Sequence, residues 1–198
     1  MKKLLAIFFL FLSVWSSAQT IAIKGGVAFT TFSASPKVYS YPGVIQAVNR
    51  GYSLKTGFVF GGYVDFSLNQ NLFVRPGLEF VLKGSAYKGT FVYNGTSTSF
   101  DSKVNYPAVD FPVDLIYKIK MKGDQHIVFV AGVLPGFLFE GGFKKWDLGV
   151  NVLAGYELPS GLTFGLNYNH GILNAADEYS EYETLLNRTF SITAGYFF

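Results

Sequence analysis

Along most of this chain apolar side chains occupy every second position, and that rhythm restricts the fold more than any other feature. An extended strand turns successive side chains to opposite faces, so a period of two describes strands that are apolar on one face and polar on the other. Residues 72–83 carry it most clearly. Leu72, Val74, Pro76, Leu78, Phe80 and Leu82 share one face, while Arg75, Glu79 and Lys83 share the other. At roughly 3.3 Å per residue this stretch runs about 40 Å. Tilted near 45°, it is long enough to cross a hydrocarbon layer.

The rhythm recurs. Ile21, Ile23, Val27 and Phe29 alternate with Lys24, Gly26 and Thr30, and Phe58, Phe60, Val64, Phe66 and Leu68 with Gly61, Tyr63, Asp65 and Ser67. Phe111, Val113, Leu115, Tyr117 and Ile119 alternate with Asp110, Asp114 and Lys118. Leu148 to Leu158 alternates with Asp147, Asn151 and Glu157, Leu162 to Tyr168 with Thr163 and Asn167, and Phe190 to Phe198 with Thr189, Ser191 and Thr193. Only residues 126–139 are apolar on both faces. Placing Ile127, Phe129, Ala131, Val133 and Phe137 outward turns Gly132 and Gly136 inward. The expected fold is therefore all-β: an eight-stranded antiparallel up-and-down transmembrane β-barrel. An even number of strands brings both termini to one side, and closure removes exposed edges.

Residues 1–18 are expected to be a cleavable signal peptide, leaving 19–198 as the barrel domain. Lys2 and Lys3 precede the apolar run Leu4 to Leu12, and Ser16-Ser17-Ala18 is a small-residue cleavage site. After that run no apolar stretch reaches the roughly 20 residues of a membrane helix. Aromatics at 18%, 22 glycines and only 15% charged residues also fit strands with a lipid face. The chain has no cysteine, which excludes disulfides, thiol chemistry and lipidation at an N-terminal cysteine. Without Lys2 and Lys3 the Lys+Arg total falls from 16 to 14 against 13 Asp+Glu, so nothing points to nucleic acid.

Connections alternate between short and long. Asn69 to Asn71, Met121 to Gln125 and Pro159 to Gly161 are short and rich in turn formers. Ala34 to Thr56, Gly84 to Lys103 and Ala175 to Leu186 read as long loops, Gly141 to Lys145 as a shorter one. Outer-membrane barrels keep short turns on the periplasmic side, so both termini are expected there. Asn94-Gly95 reads as a hairpin turn able to carry its two strands beyond the membrane. The chain ends Tyr196-Phe197-Phe198. Tyr196 and Phe198 on the lipid face resemble the terminal signal read by the barrel assembly machinery.

Several stretches resemble the PorT-like outer-membrane β-barrel family common in the Bacteroidetes. They are Lys24-Gly25-Gly26, Arg75-Pro76-Gly77-Leu78-Glu79, Asn105-Tyr106-Pro107 with Phe111-Pro112, Lys145-Trp146-Asp147-Leu148-Gly149 with Gly155-Tyr156-Glu157-Leu158, Tyr168-Asn169-His170-Gly171-Ile172, and Asn187-Arg188-Thr189-Phe190. The resemblance implies an eight-stranded barrel with a closed lumen, and no reaction. A few members of that family are tied to type IX secretion.

The inward set joins Lys24, Arg75, Lys83 and Lys118 with Asp65, Glu79, Asp110, Asp114, Asp147 and Glu157. A small barrel is filled by its own side chains, and buried charges need partners. A salt-bridged plug is expected, with Arg75, Glu79 and Lys83 facing Asp110 and Asp114 across a hairpin. An ion path or gate is the competing reading. Asp110 and Asp114 stand about 13 Å apart along a strand, too far to share a proton. A lipid-modifying hydrolase or acyltransferase needs a base near a nucleophile. Only His126, beside a short turn, and His170, with Ser180 in the adjacent loop, offer one. Two distant histidines and no calcium-loop spacing give no metal site. No catalytic residue and no cofactor are expected. The partners expected are outer-membrane lipid, the assembly machinery and an envelope or type IX secretion component. The function read is a non-enzymatic structural, recognition or secretion-accessory barrel; the alternatives are the lipid enzyme and a narrow transporter of apolar solutes.

Overall fold

The computed structural model describes residues 19–36, 47–93, 96–139, 144–176 and 182–198. The alternating stretches become ten strand segments: β1 (Gln19–Pro36), β2 (Ala47–Ser53), β3 (Lys55–Ser67), β4 (Leu72–Tyr93), β5 (Thr96–Asp110), β6 (Val113–Lys120), β7 (His126–Leu138), β8 (Trp146–Glu157), β9 (Leu162–Gly171) and β10 (Tyr182–Phe197). Every pairing is antiparallel. The order runs β1, β3, β4, then β5 and β6, then β7 to β10, and β10 pairs back with β1.

Two walls of the ring are single strands with an interruption. Leu54 separates β2 from β3, and both segments pair with β4, β2 further from the short turns. Phe111-Pro112 separates β5 from β6, which again share β4 and β7 as neighbours. Proline has no N–H to give a ladder, and Pro112 sits at the break, whereas Pro76, Pro107 and Pro135 are carried within their strands. The freed groups are still used: Gly77 N–H donates to Pro112 O at 2.9 Å and Phe111 N–H to Pro135 O at 2.7 Å. Counted this way the closed ring has eight strands.

The short turns have identifiable chemistry. The Asn69 side-chain oxygen accepts from the backbone N–H groups of Asn71 and Leu72, both at 2.9 Å, holding the β3–β4 turn. In the β6–β7 turn Gly123 and Asp124 take φ of 76° and 55°. At the opposite end the strands are unequal, with 22 residues in β4 against 10 in β9. Much of what the sequence reads as loop is strand there. β4 and β5 stay paired out to Tyr93 and Thr96, and β2 occupies part of 34–56. Lys88, Thr98, Ser99, Asp101 and Lys103 of this ribbon are exposed and polar, so it lacks the apolar alternation that reveals a strand. Asn94-Gly95 and Gly141-Gly142 lie outside the described residues.

Outward positions are apolar and exposed, among them Ile23, Phe60, Leu78, Val152, Leu166 and Ile192. A continuous apolar belt of this kind is explained by lipid. The phase chosen for β7 holds: Phe129 and Val133 face out, while Val128, Val130 and Leu134 are buried. Inside, Ile116, Val128 and Val130 pack with Phe73 and Leu153 towards the short-turn end. Phe32, Tyr106, Leu138 and Leu185 close the other end together with Ala175 and Ala176. Ala175 and Ala176 fold in over them, Ala175 N–H donating to Leu185 O at 2.9 Å, while Ile172 and Leu173 stay exposed.

Candidate functional site

The expected inward residues line the lumen in three groups, the first of them level with the apolar cluster of Ile116, Val128 and Val130. Asp65, Arg75, Glu79, Lys83, Asp110, Asp114, Lys118 and Asp147 are buried, and Glu157 is half-buried.

Nearest the short turns, Arg75 donates two parallel hydrogen bonds to Asp65, Nε at 2.5 Å and Nη2 at 2.8 Å. A planar guanidinium matches a carboxylate in this way. Lys118 Nζ bonds Glu157 at 2.7 Å and lies 3.7 Å from Asp65. His126 Nδ1 is 3.6 Å from Glu157. Phe197 projects into this group, its ring centroid 5.1 Å from the Arg75 guanidinium and 4.6 Å from Lys118 Nζ. The negative ring face attracts both cations.

In the middle, Lys24 Nζ lies 2.8 Å from Glu79, and the Tyr63 hydroxyl donates to the same carboxylate. The Tyr63 ring is also contacted by Lys24 at 4.8 Å and by Arg75 at 5.5 Å. Gly77 is directly across from Tyr63, and a Cβ there would run into its ring. The absent side chain is what lets the tyrosine lie across the strand. Asp114 and Asn151 flank Gly132 on the two neighbouring strands.

Towards the long-loop end, Lys83 Nζ donates to Asp110 at 2.8 Å and to Asp147 at 3.2 Å, and the Asn187 amide donates to Asp147 at 2.6 Å. Asp110 faces Gly136, and Asp114 faces Gly132. A Cβ at either glycine would strike the opposing carboxylate oxygen. These inward glycines are the space the carboxylates occupy.

The pairing departs from the expected one, although the membership does not. Arg75 and Glu79 stand directly opposite Asp114 and Asp110. Yet Arg75 turns to Asp65 on its other neighbour, and Glu79 turns to Lys24 and Tyr63. Two carboxylates directly across from one another repel, so Glu79 and Asp110 take separate cations. Of the expected contacts across that hairpin only Lys83 to Asp110 forms. One carboxylate oxygen each of Glu79, Asp110, Asp114 and Asp147 has no hydrogen-bond donor among the described residues. A cavity of about 40 Å³ beside Lys24, Tyr63, Arg75 and Phe197 has room for a few waters. The sequence reading missed Phe197 and Asn187. Their inward phase was available from the outward assignment of Tyr196, Phe198 and Phe190.

The other candidates are scattered. Asp110 and Asp114 belong to different groups. His170 faces outward, its Nδ1 3.2 Å from the Tyr168 hydroxyl, and Ser180 lies outside the described residues. Among the described residues no cluster of His, Asp or Glu is arranged to hold a metal ion. Tyr196 and Phe198 both face outward, their rings edge-on at 5.1 Å.

Residues 17–177 match the family model described as outer membrane protein beta-barrel domain. No curated protein matches the sequence significantly. Among solved structures, the outer membrane protein OprG from Pseudomonas aeruginosa is similar at a TM-score of 0.50 and 14% identity, covering 91% of this chain and 96% of its own. Neisserial surface protein A follows at 0.49 and 10%, covering 90% and 97%, and the outer membrane enzyme PagL at 0.44 and 8%, covering 90% and 99%. At these identities the likeness is one of fold alone.

Proposed function

Since the chain belongs to the outer membrane protein β-barrel domain family and is an integral outer-membrane barrel, we propose that it is a non-enzymatic envelope protein that works through its long-loop end, not its lumen. One observation carries this reading. Three groups of buried charges, Arg75 with Asp65, Lys24 with Glu79, and Lys83 with Asp110 and Asp147, cross the lumen in succession. Opening a path would separate several pairs at once, each at a cost of about 3–5 kcal/mol when a partner is lost. An apolar solute would meet the same charges, which argues against the transporter.

Sorting of short and long connections supports periplasmic short turns and termini. Residues 1–18 then act as the export signal, and Tyr196 with Phe198 serve recognition by the assembly machinery. The motifs around Arg75-Pro76-Gly77 and Tyr168-Asn169-His170 favour the PorT-like, Bacteroidetes branch, and with it an envelope or type IX secretion partner.

Planar-bilayer recording of the purified protein tests the occluded lumen. The expected result is no steady conductance. Large, sustained open-channel currents would refute the proposal.

A further inference from the structure

The outer wall carries one row unlike the rest. On β1, β10 and β9 the register sets Phe29, Phe190 and Tyr168 side by side, with the Phe29 and Phe190 rings stacked at 6.5 Å. Two residues further from the short turns, the same outward phase carries Thr31, Arg188 and His170, again side by side. A polar row thus crowns an aromatic one.

Arg188 is exposed and has no ion-pair partner among the described residues. Hydrocarbon rejects a guanidinium and the headgroup layer accepts it, so Arg188 marks the level where lipid tails end. Tyrosine directly beneath it fits the aromatic belt of a membrane interface. The hydrogen bond between the Tyr168 hydroxyl and His170 Nδ1 orients the imidazole, leaving Nε2 for a ligand. Below the row, on β8 to β10, small Ala154 lies among Tyr156, Phe164, Leu166 and Ile192, and a groove of about 350 Å³ opens there. Its nearest wall, Leu166, is four residues from His170, about 13 Å along the strand.

We propose that Arg188 and His170 bind the phosphate of a phosphorylated glycolipid in the outer leaflet, with one of its acyl chains lying in the groove below. The guanidinium fork matches phosphate oxygens in a way a single ammonium does not. His170 adds a donor, while the Thr31 hydroxyl lies 3.4 Å from that of buried Ser85 and only flanks the site. The choice of glycolipid rests on the reading that the long-loop end faces outward.

The test uses the mature protein purified from outer membranes in mild detergent. Native mass spectrometry would follow titration with diphosphoryl lipid A and with its dephosphorylated form. Wild type is expected to hold the diphosphoryl lipid about ten-fold more tightly, the scale of one charge-assisted hydrogen bond. Arg188→Gln should abolish that difference and Arg188→Lys should keep part of it, with gel migration before and after boiling confirming that each variant is folded. Equal binding of the two lipids by wild type, or undiminished discrimination in Arg188→Gln, overturns the site. Orientation is read separately. The chain has no cysteine, so Thr98→Cys and Ser160→Cys can be labelled on intact cells with an impermeant maleimide. Labelling of Thr98→Cys alone supports the glycolipid. Labelling of Ser160→Cys alone overturns the orientation, and with it the glycolipid as ligand.

Discussion

Replacing Arg75 with alanine should destabilise the barrel severely, because it strands the carboxylate of Asp65. That residue is 2% exposed and takes two hydrogen bonds from Arg75. The remaining cation, Lys118, is 3.7 Å away and already bonded to Glu157 at 2.7 Å. Deleting one partner of a buried pair costs about 3–5 kcal/mol, and the residual attraction of Lys118 puts this case near 3. Arg75 also lies over the Tyr63 and Phe197 rings, contacts worth about 0.5–1 kcal/mol each. The total is about 4 kcal/mol. With a urea slope of about 1–3 kcal/mol per molar, the unfolding midpoint should fall by more than about 1 M. Trp146 faces lipid and is the only tryptophan in residues 19–198, so its fluorescence in thin-bilayer vesicles reports the transition. Arg75→Ala combined with Asp65→Asn removes both charges and should recover about half of the loss. A wild-type midpoint for Arg75→Ala, or a double variant no more stable than the single one, would refute the argument.

Closed barrels resist detergent because every backbone bond lies in the ring, so the folded protein should migrate differently in gels before and after boiling. Identical migration would contradict closure. Leu78→Arg should impair membrane insertion by about 2–4 kcal/mol, since Leu78 is 54% exposed on the lipid face. Gly77→Arg should still insert but lose stability against the Tyr63 ring; fractionation and urea titration separate the two effects, and normal insertion of Leu78→Arg would reverse the assigned face. Phe197→Leu keeps an apolar side chain but loses two cation contacts, so it should lower stability by about 1–2 kcal/mol. Phe198→Leu, on the outward face, should change it by less than half of that. Equal effects in urea titrations would place Phe197 outside the lumen.

Which face of each strand meets lipid was legible because the side-chain period is two and one face must be apolar throughout. The lumen's membership followed directly, from Asp65 to Glu157. Partner choice did not follow. Each strand has two neighbours, and the alternation does not say whether Arg75 of β4 turns to Asp65 on β3 or to Asp114 on β6. The ribbon of β4 and β5 was hidden for the opposite reason, since its exposed residues, Lys88, Thr98, Asp101 and Lys103 among them, are polar and leave no apolar alternation to read. Phe197 was hidden by its type, because an aromatic residue between two lipid-facing aromatics suggests a third. Its ring points inward because period two requires it and two cations receive it.

The unequal strand lengths give the barrel a wall that is taller on one side. The excess of β4 over β9 amounts to about 40 Å of ribbon at roughly 3.3 Å per residue, or nearly 30 Å of height at a 45° tilt. A bulky ligand approaching along the membrane normal therefore reaches the β4–β5 ribbon well before the low rim at β8 and β9. A probe attached at Thr98 would stand clear of the headgroups, whereas one at Ile172 would sit among them.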